Sequence, residues 1–280
     1  MLPIDKLGTR QAPATIEIDA NRAKAYAAAT NDDNPAYESG KYAPPVFGVV
    51  TAWSQILLAS ADVIPPEAMM FIVHGEQDMH FHQPLVPGTK LTTTAETFAY
   101  RVGGSGTRLV VKADSADDHG EPVLTQYVTI FIRGMSDGES GGPDKPEHDF
   151  PEDARSRPVD TFTIHVDDDQ TFRYRDASGD EMPIHLDEAF AKSVGLPGII
   201  AHGLCTMAMC SQAVVKTVAD GDPARLKRLA VRFAANVLPG NDIDVAIFDA
   251  GADGGRQAFA FEATSAGAVV VKNGWAEVEA

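Results

Sequence analysis

Two cysteines in 280 residues, Cys205 and Cys210, leave no room for a disulfide framework. They sit in one apolar stretch at a spacing that does not face them toward each other on a helix. Both therefore read as core packing in a reducing compartment. Basic residues are also scarce: 23 Lys and Arg stand against 40 Asp and Glu, for a formal net charge of −17. Such a chain lacks the basic surface that nucleic acid or an anionic membrane requires. An anionic small molecule stays within reach, because a helix N-terminus or a local basic patch can hold phosphates on an acidic protein. No apolar run approaches the length of a membrane span, and the N-terminal MLPIDKLGTR lacks the core of a signal peptide. The expected location is the cytoplasm. The two tryptophans, Trp53 and Trp275, point only to packing.

What is present is a core and a repeat. Hydrophobic residues make up 44% and charged residues 22%, the balance of a globular chain whose length suits two ordinary domains or one large one. Thr15-Ile-Glu-Ile-Asp19 recurs 148 residues later as Thr163-Ile-His-Val-Asp167. At the same offset, residues 30–37 (TNDDNPAY) match residues 178–185 (SGDEMPIH). Phe81 to Gly88 then matches Phe233 to Gly240 at an offset of 152. Three blocks in the same order identify a duplication. Residues 134–158 between the copies are rich in Gly, Pro and acidic residues and lack periodicity, which predicts an exposed linker. The expected organisation is one domain over 1–133, the linker, and a second domain over 159–280.

Each copy has the same coarse order: a helix, a long apolar helix (Val46 to Ala59, and about Gly203 to Val218), then strands. The second apolar helix is hydrophobic on nearly every side, the mark of a helix buried all round. Strand alternation is visible in Leu229–Phe233, Ile243–Phe248, Phe259–Phe261 and Val269–Val271. A buried helix wrapped by an antiparallel sheet is a hot-dog arrangement, so the expected class is α+β, a double hot dog in which the sheets can protect each other's edges.

The densest polar cluster is Tyr174 to Asp187. Gly179 and Pro183 break any helix there, and Met182 is biased away from helical angles by the proline after it. On a helix Asp180 and His185 would diverge by roughly 140°. On a loop bent by Gly and Pro both can enter one pocket. A short helix, Glu188 to Val194, follows and ends at Gly195.

The run Tyr174, Ser178-Gly179-Asp180, Pro183-Ile184-His185, Ala191 and Ile200-Ala-His-Gly-Leu204 resembles the signature of the MaoC-like, (R)-specific enoyl-CoA hydratase family, which has hot-dog folds. Phe233 to Gly240 resembles that family's first strand and turn after the helix. The resemblance is strong over about 160–245 and extends to the first half only in outline. It implies that Asp180 and His185 are catalytic, and that the reaction is reversible hydration of a trans-2-enoyl thioester to the (R)-3-hydroxyacyl thioester. It also places Ser211 near the substrate. The sequence departs from the family at Met182, where an asparagine is usual, which bears on loop geometry more than on chemistry.

The residues suit that reaction. Water attacks C3 of the enoyl thioester only when the carbonyl is polarised by donors aimed at its oxygen. The backbone N–H of Gly203, at the start of the buried helix, is placed for this, with the helix dipole behind it and no Cβ to obstruct a thioester. His185 is the natural base and Asp180 holds the water and relays or donates a proton to C2, which as an acid requires a raised pKa. His202 is expected at the substrate-binding end with Gly203 and Ser211, where it orients the loop through a backbone hydrogen bond or else acts in the chemistry. No cofactor is expected, since coenzyme A belongs to the substrate. The partner is an acyl-CoA thioester, and monomer and homodimer both stay open.

In the first copy Asp32 aligns with Asp180, but Tyr37 aligns with His185 and Phe47 with His202. Tyrosine is a poor base near neutrality, so this copy reads as a non-catalytic pocket wall, with Asp32 a local turn or capping residue. His80 and His82 share one strand face without a third ligand, so no metal is expected. Lys227, Arg228 and Arg232 form the best basic cluster, as a phosphate contact or an ordinary solvated edge. Two other functions stand beside the hydratase: a hot-dog thioesterase, disfavoured because Leu204 to Val218 carries no carboxylate, and a non-catalytic acyl-thioester-binding subunit.

Overall fold

The apolar run that the sequence marks out in the second half forms a helix over Gly203–Val218, buried continuously from Leu204 to Val215. This and all that follows is seen in a computed structural model, which describes residues 1–253 and 255–279. In chain order the elements are β1 (Ala14–Glu17), α1 (Ala20–Ala29), α2 (Pro35–Glu38), α3 (Gly48–Ala61), β2 (Ile72–Phe81), β3 (Lys90–Gly103), β4 (Gly106–Ala116), β5 (Pro122–Arg133), β6 (Pro158–His165), α4 (Gln170–Ser178), α5 (Glu188–Ser193), α6 (Gly203–Val218), β7 (Leu226–Phe233), β8 (Asp242–Asp253), β9 (Arg256–Ser265) and β10 (Ala268–Glu279).

The chain packs as two compact units. The first comprises Met1–Glu17, Thr51–Gln83 and Thr89–Glu147; the second comprises Ile18–Val50, Pro84–Gly88 and His148–Ala280. In the first unit the strands run β1-β3-β4-β5-β2, all antiparallel. Ala52, Ile56 and Ala59 of α3, spaced to share one helix face, pack on Leu109, Val111, Ala113 and Val128 of the sheet. In the second unit the order is β7-β10-β9-β8-β6, again antiparallel, and Ile243, Val245, Ile247 and Phe261 are fully buried with α6. Each unit is therefore the helix-and-sheet arrangement the pattern predicts. Among the described residues no helix is long and apolar enough to cross a membrane.

The strands of the second unit extend well beyond their alternating centres. Their outer parts mix Ala and Gly with charged and polar residues such as Asp249, Arg256, Gln257, Lys272 and Asn273, which breaks the alternation. At Gly274 a side chain is impossible: an added Cβ would lie 2.4 Å from Phe261.

The sequence boundaries need two corrections. Residues 18–50, assigned by sequence to the first domain, pack within the second unit. The cause is a reciprocal docking of α1 on α4. Arg22 of α1 donates to the carbonyls of Ala177 and Ser178, while Gln170 and Arg173 of α4 donate to those of Ala29 and Ala28. Between them the hydroxyls of Tyr26 and Tyr174, equivalent residues of the repeat, bond at 3.1 Å. The second correction concerns the linker. Gly141 pairs with Tyr100 through both backbone bonds, and the Arg101 guanidinium grips Gly141, Pro143 and Asp144. Further on, His148 and Ala154 are buried, and β6 starts at Pro158. Backbone polar groups satisfied in this way hold the segment down even though its composition is that of a loop.

Candidate active site

Helix α4 ends at Gly179, whose left-handed φ of 83° suits a residue without a Cβ. The chain leaves the helix there and turns again through a 3-10 turn at Pro183–His185. Asp180 lies between the two. Its backbone N–H donates to Ser178 Oγ at 3.1 Å, and its Oδ1 accepts from the Met182 N–H at 3.1 Å. The loop that the Gly and Pro predict is thus real, and Met182 supports it through its backbone rather than its side chain. That side chain is exposed and caps nothing.

His185 is buried, and its Nδ1 lies 2.8 Å from the carbonyl oxygen of Ile200. A carbonyl only accepts, so Nδ1 carries the proton and Nε2 keeps its lone pair. The accepting carbonyl is itself held. The Ile199 N–H donates to Glu188 Oε2 at 3.0 Å and the Ala201 N–H donates to the Val237 carbonyl at 2.8 Å. Burial lowers the His185 pKa below its ordinary value, so the ring is neutral at pH 7.

His202 stacks on His185, ring centroids 3.8 Å apart and planes 28° from parallel. Its other face meets Tyr174, at 4.8 Å. Its Nε2 donates to the backbone carbonyl of Asp180 at 3.2 Å, tying the helix start to the loop. Burial, then the neighbouring His185, lowers its pKa to about 3. Its ring is neutral and ties the start of α6 to the loop.

One side-chain ligand atom each from Asp180, His185 and His202 lies within 4.8 Å of the others. By residue type these three could hold a metal. Two imidazoles bound to one zinc bring their nitrogens within about 3.3 Å, along in-plane lone pairs that converge. Here the two rings stack, and the Nδ1 of His185 and the Nε2 of His202 are already committed to backbone carbonyls. The geometry fits an acid–base pair with a brace. His80 and His82 have ordinary partners, the Asp78 carboxylate at 3.1 Å and the Thr125 hydroxyl at 3.0 Å.

Gly203 opens α6, and the first bond inside the helix is Thr206 N–H to the His202 carbonyl at 3.1 Å, so the Gly203 N–H precedes it and stays an orphan donor of the helix end. A Cβ at Gly203 would meet the Phe233 ring at 3.4 Å, an ordinary van der Waals contact. Ser211 is buried in α6 with no hydrogen-bond partner for its hydroxyl among the described residues. Eight residues of helix put it about 12 Å along the axis from Gly203. No hydrogen bond joins its hydroxyl to the Asp180 cluster among the described residues. Lys227 and Arg228, read as a possible phosphate contact, are engaged by Glu279 at 2.7 Å and Glu277 at 3.4 Å.

A family model of the MaoC like domain matches residues 151–270, and one of the FAS1-like dehydratase domain region matches residues 5–126. The 3-hydroxyacyl-thioester dehydratase Y of Mycobacterium tuberculosis is 30% identical over 208 residues, covering 73% of this chain and 70% of that protein. The chain belongs to the MaoC-like dehydratase family. A probable enoyl-CoA hydratase 2 of Dictyostelium discoideum is 32% identical over 178 residues, 62% of this chain. The chain spans 60% of that relative's length. The crystal structure of a MaoC-like dehydratase from Phytophthora capsici superposes with a TM-score of 0.88 at 27% identity, over 99% of this chain and 98% of that one.

Within this MaoC-like chain the first copy preserves the frame of the second. Asn31 takes the left-handed φ of 55° where Gly179 stands in the other copy, and Asp32 Oδ1 accepts from the Asn34 N–H at 3.2 Å as Asp180 does from Met182. Tyr26 packs edge-on to Phe47 at 5.5 Å, as Tyr174 packs on His202. The chemistry is what differs. Burial raises the Tyr37 phenol well above its usual range, so it cannot serve as a base. Burial also raises Asp32 to about 6, despite the Asn34 N–H and the nearby Lys216. Asp32 is thus both the turn residue the sequence predicts and a buried acid, which the sequence does not reveal. Asn34 donates to the Gly221 carbonyl at 2.8 Å and Gln212 to the Asn31 carbonyl at 2.8 Å, holding the loop against the end of α6.

Proposed function

We propose that this protein catalyses the reversible hydration of a trans-2-enoyl-CoA to the (R)-3-hydroxyacyl-CoA, with Asp180 and His185 as its catalytic residues. One observation carries the assignment. His185 gives its Nδ1 proton to the Ile200 carbonyl, stays neutral through burial, and lies with Asp180 in one cluster. A neutral imidazole with Nε2 free is the group that can take a proton from water at pH 7.

In the forward direction water sits between His185 and Asp180. The thioester carbonyl accepts from the orphan N–H at the start of α6, where the helix dipole favours the negative charge that develops on oxygen. His185 takes one proton from the water as its oxygen adds at C3, and that proton passes by way of Asp180 to C2, so the net change is addition of one water. Dehydration is the same path in reverse. The names of the two curated relatives, a hydratase and a dehydratase, support both directions.

The test is loss of enoyl-thioester absorbance with short, medium, long and branched or ring-bearing enoyl-CoAs. Turnover is expected on at least one of them. Asp180→Asn and His185→Gln should each lower kcat by at least about 10²-fold while circular dichroism and Tm show an intact fold. Thiol release in place of hydration, or no turnover with any substrate, overturns the proposal.

A further inference from the structure

We propose that Arg22, carried by α1 of the non-catalytic copy, is a positioning residue for Asp180; the inference rests on the catalytic reading of Asp180. The guanidinium donates from Nε to the Ala177 carbonyl at 2.8 Å and from Nη2 to the Ser178 carbonyl at 2.6 Å. These carbonyls close the last turn of α4, where a helix has acceptors without intrahelical donors and the negative end of its dipole. A planar fork with fixed N–H directions satisfies both at once, whereas a lysine ammonium has donors enough but no such fixed geometry.

The consequence reaches Asp180 in one further step. Ser178, whose carbonyl Arg22 holds, presents its Oγ to the Asp180 N–H at 3.1 Å. Gly179 lies between them, and a Cβ on it would approach Arg22 Nη2 to 3.1 Å. The glycine thus serves both the left-handed turn and the close approach of the guanidinium. On the far side Asp180 is held by the Met182 N–H and by His202 at its carbonyl. Arg22 supplies the anchor on the helix side, without which the end of α4 can fray and carry Asp180 with it.

The duplication provides the control. Gln170 of α4, the repeat equivalent of Arg22, makes the corresponding contact in the opposite direction by donating to the Ala29 carbonyl, and Arg173 adds a bond to the Ala28 carbonyl at 2.9 Å. The loop that follows α1 carries Asp32 and Tyr37, which do no chemistry in the proposed mechanism. Arg22 on one side and Gln170 with Arg173 on the other therefore brace two equivalent helix ends, of which one leads into the catalytic pair.

The experiment compares Arg22→Gln, Arg22→Lys and Arg173→Gln in the full-length protein by kcat, KM, pH–rate profile and Tm. Arg22→Gln is expected to lower kcat by about tenfold or more, since sub-ångström displacement of a reacting group has that effect. Its KM should stay within about threefold and its acid limb should not move, because His185 is held from Ile200. Arg22→Lys should recover part of the loss. Arg173→Gln should lower Tm at least as much as Arg22→Gln and leave kcat unchanged. Equal kcat losses in Arg22→Gln and Arg173→Gln would make Arg22 a general brace and overturn the inference, as would a wild-type kcat in Arg22→Gln or a loss confined to KM. If the wild-type protein itself fails to turn over any enoyl-CoA, the catalytic reading fails instead, and the two failures are distinguishable.

Discussion

His202 and Phe47 show how one side chain separates the two copies. Both pack on a tyrosine of the preceding helix, but only the imidazole can donate to the carbonyl of the aspartate in its own copy. His202→Phe should therefore keep the ring packing and lose one hydrogen bond. Such a bond contributes about 1 kcal/mol, which predicts a fall in kcat of about tenfold or less, with only a small change in Tm. A loss as large as that of His185→Gln would make His202 a direct participant. At Tyr37 the expectation is opposite: Tyr37→Phe removes a buried hydroxyl that has no hydrogen-bond partner among the described residues. Activity should persist and Tm should hold or rise. The loop that gathers Asp180 and His185 into one cluster was legible from Gly179 and Pro183. The state of Asp32 was not, because its raised pKa comes from burial and not from any neighbour in sequence.

Among the elements, the loop between α4 and α5 is the one whose support differs most between copies. Asn34 caps α2 by accepting from the Ala36 N–H at 2.9 Å, whereas Met182 at the equivalent position leaves its turn without a side-chain cap. Met182→Asn should restore that cap and raise stability by about 0.5–1 kcal/mol, read as a higher Tm or denaturant midpoint. An unchanged or lower midpoint would show that the 3-10 turn at Pro183–His185 does not offer the N–H that α2 offers. Glu188 is a second support that sequence reading passed over. It looks like an ordinary acidic residue in the first turn of a helix, yet its carboxylate holds the Ile199 N–H beside the carbonyl that orients His185. The partner lies in another loop, and no local pattern encodes that pairing. The long apolar helix was legible from periodicity, but the outer parts of β8, β9 and β10 were not, since charged and polar residues among Ala and Gly interrupt the alternation there.

At the scale of the whole molecule, three buried histidines bind protons less readily than they would in the unfolded chain. His202 is lowered to about 3 and His74 to about 4, both first by burial, and His185 is lowered for the same reason. For such groups the unfolded state takes up the proton first, so stability is full above the ordinary histidine value near 6.5 and declines as pH falls below it. Asp32 acts with the opposite sign. Its folded value, about 6 against an ordinary 3.8, makes the native state bind a proton first between those limits. One of the three losses is therefore offset there, and a net decline remains. Tm measured from pH 7.5 to 4.5 should fall, and less steeply in His202→Phe than in the wild type. An equal slope in the two would mean that His202 is not held neutral by the fold.

The sequence alone determined the duplication, the buried helices, the α+β class and the Asp180/His185 loop, because each is written in local chemistry: hydrophobic periodicity, Gly and Pro, and the order of polar residues. Only the tertiary structure decided that residues 18–50 pack with the second unit, that the 134–158 stretch is pinned at both ends, and that Arg22 reaches the helix end before Asp180. Those outcomes depend on carbonyls and N–H groups meeting side chains more than 30 residues away in sequence. Every residue carries the same backbone groups, so composition and spacing hold no record of which ones will be paired.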